Sequence, residues 1–417
     1  MTSARTPETV MASHSGAPWW RRVTARMAAR FGSRANARQA DGPRRAPSKE
    51  QRDRDHAERR ALHAVAKSRA DEEREARRRE EAVRRDDERR AHEQTIDAAY
   101  TTYVRVRDWA GLMRQAGGSP SDALTDTERR MLDALAPLWH ADRATIATLR
   151  AWCDPLNGAP APQPAQPSAE SLERLLRQVT ILRKQNGAET LVPEPATLGA
   201  WGAVVAGQRH SDETLKFAVA TAALKHGAVL TPFRRTRSRL IVWEIGGGWG
   251  GFAYHFKTLC PNVTYVITGP PDRLLVSAVY LITAFPDARW RLQDESGVDD
   301  TWSDWEHLDF LFVAEAAAAG LRPPRLDLML DIGELHHMSP QRASEHVQRA
   351  FEWGSPYVYS MVPARAVEAS STPWTLIERW YWPHPVPLRS ERSPEYAEIA
   401  SHEDNYAHLV GWRRIRT

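Results

Sequence analysis

The chain has 417 residues, enough for one sizeable core with added segments or for two modest domains. Its 57 basic and 53 acidic side chains leave a formal charge of +4, and the excess sits in the Arg-rich stretch before Lys49, which reads as a basic tail rather than a nucleic-acid surface. The two cysteines, Cys153 and Cys260, follow no disulfide or metal-ligand spacing and fit a reducing, cytoplasmic setting, and no apolar run approaches the roughly 18 residues of a membrane helix.

Residues 1–47 carry Gly, Pro, Ser and scattered Arg without apolar periodicity and are expected to be disordered. The Arg and Ala usage matches GC-rich bacterial coding, and the segment lacks the apolar core of a secretory signal. Residues 48–94 alternate acidic and basic blocks, as in DEEREARRREEAVRRDDERR, whose charges three and four apart support a solvent-exposed helix. Apolar heptad positions are nearly absent there, which disfavours a coiled coil and leaves the charged helix as a candidate surface for a protein partner.

Residues 95–156 turn amphipathic. IDAAYTTYVRVRDWAGLMRQ and TDTERRMLDALAPLWHADRATIATLRAW predict two helices separated by GGSPSD. The Pro/Ala-rich residues 157–168 form a linker. Residues 169–235 are expected to be a helical lead-in. Its first helix is capped by Ser168, carries Glu170 in the first turn and ends at Gly187, and further helices are predicted over 195–205 and 213–226. From residue 236 to 417 the period changes. Short apolar runs at 239–245, 263–268, 309–313, 326–332 and 356–362 alternate with helical patterns, and YAHLVGWRRI reads as a closing antiparallel strand. This alternation predicts an α/β, doubly wound, mostly parallel sheet preceded by an α-helical region and a basic tail.

The segment IVWEIGGGWGGFAYHF runs a buried strand into a glycine cluster and then into a helix. Glycines let the backbone turn sharply and let a ligand approach where a Cβ would clash, and the helix start offers free N–H groups. Gly246, Gly248 and Gly251 also satisfy the GxGxxG pattern of dinucleotide sites. Glu244, at the strand end, would repel a pyrophosphate but can pair with a cationic amino-acid tail.

Together, EIGGGWGGFAYHF, YVITGPPDRLLVSAVYL and DLMLDIGELHHMSPQRASEHVQRAF resemble the sugar O-methyltransferases of bacterial surface-polysaccharide and natural-product gene clusters, over about residues 168–417. This family belongs to the class I S-adenosylmethionine-dependent methyltransferases. The resemblance implies a seven-stranded Rossmann-like sheet and S-adenosylmethionine as cofactor, held by Glu244, Gly246, Gly247, Gly248, Gly250 and Asp272. The family ends its second strand with an acid that binds the cofactor ribose. Here Gly269 stands in that place, and Asp272 is left either to reach the ribose or to cap the next helix.

Transfer of a methyl group to oxygen needs a base near neutrality, which points to His336 and His337 at the carboxyl end of the fourth predicted strand. One of the two is the expected catalytic base, with His337 aligned to the family's acid. The alternative is that one histidine caps the helix beginning near Ser339 while the other packs on the sheet. Asp331 and Glu334 flank the pair, and Glu334 is a candidate contact for the acceptor. Trp374, Trp380, Tyr381, Trp382 and His384 form an aromatic run suited either to stacking on a sugar ring, Trp382 foremost, or to burial in the last hairpin. No further ligand pair accompanies the histidines, so no metal site is expected. The expected acceptor is a sugar or glycoside hydroxyl. The competing readings are an NAD-dependent sugar-nucleotide oxidoreductase or epimerase and a non-catalytic scaffold; Glu244 and the lack of a Tyr-xxx-Lys pair weigh against the former, and Gly269 motivates the latter.

Overall fold

The computed structural model describes residues 48–117, 124–153, 168–199, 201–294, 301–363, 381–385 and 406–413. The expected disorder of residues 1–47, nearly all of the Pro/Ala-rich linker, and Trp374 and Trp380 lie outside these residues.

Contacts divide the chain between Asp86 and Asp87. In the first unit, residues 49–86 belong to helix α1 (Lys49–Ala116) and bury no side chain; ion pairs one turn apart, such as Arg79 with Glu75 at 2.5 Å, line its surface. The charged and amphipathic helices expected on either side of residue 94 are one unbroken helix, because neither Gly nor Pro intervenes before Gly111. In the second unit the same helix buries Ile96, Ala99, Tyr103, Val106, Trp109 and Ala110, spaced three and four apart.

The second expected helix is broken up. It consists of α2 (Asp126–Leu135), a 3-10 turn over Ala136–His140, α3 (Arg143–Ala147) and a 3-10 turn over Leu149–Trp152. Pro137 removes a backbone donor, and Asp142 restarts the helix by accepting the Thr145 N–H at 2.7 Å. Helix α4 (Ala169–Asn186) is capped by Ser168 and stops at Gly187, as its sequence dictates. The helix predicted over 195–205 is absent. Left-handed backbone at Leu198, Gly199 and Gly202 turns the chain into a two-stranded hairpin, β1 (Ala203–Val205) and β2 (Gln208–His210), closed by Ala206 and Gly207. Ser211 then caps α5 (Asp212–His226), and α6 (Leu230–Arg235) leads into the sheet.

The rest of the chain follows the expected alternation: β3 (Leu240–Ile245), α7 (Gly251–Leu259), β4 (Val263–Gly269), α8 (Pro271–Ala284), β5 (Trp290–Leu292), β6 (Phe310–Ala314), α9 (Glu315–Ala318), β7 (Leu328–Ile332), α10 (Pro340–Glu352), β8 (Tyr357–Pro363), β9 (Tyr381–Pro385) and β10 (Tyr406–Arg413). The strand order is β5-β6-β4-β3-β7-β8-β10-β9. Pairing is parallel from β5 through β8, and β10 runs antiparallel to both β8 and β9. The doubly wound, mostly parallel seven-stranded sheet is therefore present, and the three-residue β5 extends it at one edge.

Alternate residues of each strand feed two cores. Leu240, Val242, Tyr265, Ile267, Phe310 and Phe312 face α5, α7, α8 and the end of α1. Ile241, Trp243, Val266, Leu311, Val313 and Met329 face Leu335, Met338 and α10. From β3 the chain winds to β4 and β6 on one side, then returns to β7 and β8 on the other. The switch point thus lies at the carboxyl end of β3, which is where open α/β sheets leave a crevice for ligands. No helix among the described residues is long and apolar enough to cross a membrane.

Candidate active site

The loop after β3 sits at this switch point. Gly246, Gly247, Gly248 and Gly250 have φ of 83°, 65°, 47° and 88°, a left-handed run that only glycine adopts without strain. Three of these positions, Gly246, Gly247 and Gly250, also lack room for a side chain. A Cβ at Gly247 would lie 2.2 Å from Ile267 Cγ2, and one at Gly250 would lie 2.8 Å from Leu281 Cγ. Gly248 differs, because a Cβ there meets no atom within 4 Å. Its face of the loop is open, and the N-terminus of α7 follows directly. The loop is braced by Trp249, whose ring lies 3.9 Å from the buried Arg150 guanidinium and whose Nε1 donates to Glu213 at 3.3 Å.

Glu244 is only 2% exposed, and its Oε2 accepts the Tyr265 hydroxyl at 2.7 Å. Burial pushes its carboxyl up to about 8, with the nearby Asp331 and Glu334 charges adding to the rise. It is therefore a neutral acid at pH 7, held within the core by Tyr265. Gly269 also has a packing reason. The Gly246 N–H donates to the Thr268 carbonyl at 2.6 Å, and a Cβ at residue 269 would come within 3.0 Å of the Gly246 oxygen. Asp272 does not cap α8, whose N-cap is Pro270; it lies in the first turn, where its Oδ1 accepts Trp139 Nε1 at 2.7 Å beside Arg114 at 3.7 Å.

Beyond β7, Asp331 is fully buried and accepts the N–H groups of Glu334 at 2.6 Å and Leu335 at 3.0 Å, together with the Ser360 hydroxyl. These bonds hold a 3-10 turn, Leu335–His337, that projects both candidate histidines. Asp331 is thus a turn-forming residue, raised to about 6 by burial against the pull of those donors. The rings of His336 and His337 lie 3.7 Å apart, and both are half-buried. Burial lowers the His337 imidazole below the ordinary histidine value; the Glu334 charge opposes that shift, and the Arg273 charge reinforces it. The helix starting after the turn is capped by Ser339 Oγ rather than by a histidine.

The helical region joins this end of the sheet. Thr125 Oγ1 donates to the His337 carbonyl at 2.8 Å. Arg342 on α10 bridges the buried Glu128 at 2.8 Å and Glu315 at 2.6 Å, and His346 Nε2 lies 3.4 Å from Glu315. Trp382 is placed on β9 opposite Trp412 of β10, at the sheet edge beyond β8. Sequence reading missed Arg273, which forms a buried ion pair with Glu334. The available signal was a lone arginine at the start of the apolar run LLVSAVYLITA. Among the described residues, no group of His, Cys, Asp and Glu side chains converges to hold a metal ion.

No family model matches this chain, and no curated protein sequence does. Among solved structures, the chain is similar to a protein assigned as a spermidine synthase from Corynebacterium glutamicum (13% identity, 46% of this chain and 62% of that one, TM-score 0.28). It is also similar to the N-methyltransferase NodS from Bradyrhizobium japonicum in complex with S-adenosylhomocysteine (12%, 46% and 85%, TM-score 0.27). A third is the 1,6-didemethyltoxoflavin-N1-methyltransferase from Burkholderia thailandensis (14%, 61% and 95%, TM-score 0.29), with bound 1,6-didemethyltoxoflavin and S-adenosylhomocysteine. The chain spans less than two thirds of the first of these.

Proposed function

We propose that the chain is an S-adenosylmethionine-dependent O-methyltransferase acting on a hydroxyl of a sugar or glycosylated small molecule. One observation carries this reading: a glycine-rich loop, open at Gly248, lies at the switch point of the sheet beside the start of α7. Such a surface lets a flat, elongated ligand lie against backbone. The residues fit the cofactor. Gly246–Gly250 form its bed, and the resemblance of EIGGGWGGFAYHF to the family's first motif supports the assignment. Gly269 offers no carboxylate to a ribose, and Asp272, the remaining acid at this end of β4, accepts Trp139 Nε1 with its Oδ1.

When bound, the cofactor supplies a methyl carbon made electrophilic by its sulfonium. The protein's part is to orient an acceptor hydroxyl and remove its proton. His337 takes that role: burial lowers its imidazole below the ordinary histidine value, which favours the form that can accept a proton, and the Asp331-held turn fixes it at the sheet's carboxyl end. His336 lies beside it, the two rings tilted against each other.

Calorimetric titration with S-adenosylmethionine, S-adenosylhomocysteine and NAD tests the reading. Binding of the first two without the third is expected, whereas binding of NAD alone would replace it with the oxidoreductase reading. Binding of none would favour a scaffold.

A further inference from the structure

The glycine loop is roofed by an ion pair. Glu334, just after β7, packs so closely on Gly246 that a Cβ there would lie 2.5 Å from its Cγ and 2.9 Å from its Oε2. Arg273, in the first turn of α8, pairs through Nη1 with that same Oε2. Because α8 follows β4 and Glu334 follows β7, and β4 and β7 are the two neighbours of β3, the pair joins the two flanks of β3 beside the loop.

The arginine is poorly satisfied where it stands. It is 2% exposed, its Nη2 lies 2.9 Å from the weak acceptor Met131 Sδ, and its Nε has no hydrogen-bond partner among the described residues. A guanidinium carries five donors in a planar fork that matches a carboxylate, so a buried one with a single carboxylate contact has capacity left for a second. Glu334 likewise offers an acceptor directly over the backbone bed.

We infer that Glu334 and Arg273 receive the α-amino-acid end of the cofactor, the ammonium pairing with Glu334 and the carboxylate with Arg273. The inference rests on the function proposed above. On binding, the pair parts, and one protein–protein ion pair is exchanged for two protein–ligand ones, with the Arg273 fork filled. This gives Glu334 the charge-pairing role that the strand-end position suggests for Glu244, whose carboxyl is committed to Tyr265. No bond is made or broken in this exchange.

The test uses the full chain and two ligands that differ in the amino-acid end: S-adenosylhomocysteine, which has it, and 5′-methylthioadenosine, which lacks it. Calorimetry on the wild type, Glu334→Gln, Arg273→Met and Arg273→Lys would read affinity for both. Loss of a charge-assisted contact predicts about a tenfold to hundredfold weaker affinity for S-adenosylhomocysteine in Glu334→Gln and Arg273→Met. Affinity for 5′-methylthioadenosine stays at the wild-type level or rises, and Arg273→Lys falls between. Equal loss of both ligands, or no loss of either, overturns the inference while leaving the methyltransferase reading intact. A wild-type chain that binds neither ligand overturns both. If Arg273→Met does not fold by circular dichroism, Glu334→Gln and Arg273→Lys decide the matter with the same two ligands.

Discussion

Two neighbouring glycines separate folding from binding at the loop. Gly247 and Gly248 both hold left-handed backbone, so alanine at either costs about 1 kcal/mol in conformation. At Gly247 the added methyl would also meet Ile267 Cγ2 at 2.2 Å, a stiff β-branched side chain buried within β4. Overpacking of that kind adds about 1–3 kcal/mol, so Gly247→Ala is expected to lose about 2–4 kcal/mol in all. At Gly248 the methyl enters open space, and the fold should lose no more than the conformational cost. Urea denaturation reads the stability of the two variants, and calorimetry with S-adenosylhomocysteine reads binding. Gly248→Ala is expected to stay folded and bind at least about tenfold more weakly, because its methyl occupies the ligand's bed, a difference of about 1.4 kcal/mol. Equal stability of the two variants, or wild-type affinity in Gly248→Ala, would refute the reasoning.

Replacing His337 by alanine should lower turnover about 10²–10⁴-fold and leave S-adenosylhomocysteine affinity unchanged, with His336→Ala less affected; unchanged rates in both would remove the base from this turn. Wild-type turnover should rise with pH through an apparent value below the ordinary 6.5, since burial lowers the His337 imidazole; a midpoint well above 6.5 would contradict this. Glu244 titrates near 8 when folded but near 4.5 when unfolded, so the folded state holds the extra proton between these values. Its contribution to stability is complete below about 4.5 and lost as pH rises through about 8. Glu244→Gln should therefore show a flatter fall of denaturation free energy between pH 5 and 8 than the wild type, and parallel curves would place the carboxyl outside the core. Arg342→Ala leaves the buried Glu128 without its cation and should cost about 3 kcal/mol in urea denaturation. A change under about 1 kcal/mol would mean that the bridge is exposed and screened.

The sheet was legible wherever strands were long and apolar. Each of β3, β4, β6, β7 and β8 has four or more apolar residues and flanking turn signals, whereas Trp290–Leu292 is too short for any period to register. The hairpin at 203–210 was hidden for a different reason. Gly199, Gly202 and Gly207 are turn signals, but the left-handed backbone at Leu198 and Ala206 falls on residue types that advertise no turn, so the apolar pattern around them reads as helix. Helix α1 changes composition near residue 94 without breaking, because helix continuity depends on the absence of breakers rather than on constancy of composition. Around the loop, the glycines were readable because their constraint is local. The environment of Glu244 was not, since Tyr265 reaches it from the adjacent strand, and the Arg273–Glu334 pair forms only once β4 and β7 flank β3. Long-range pairing of charges leaves no spacing rule in the chain.

A crystal structure of the full chain grown with S-adenosylhomocysteine tests directly whether the loop from Gly246 to Gly250 is a ligand bed. Density for the ligand should run along this backbone, with its amino-acid end between Glu334 and Arg273. Density elsewhere, with the Arg273–Glu334 pair intact, would contradict it.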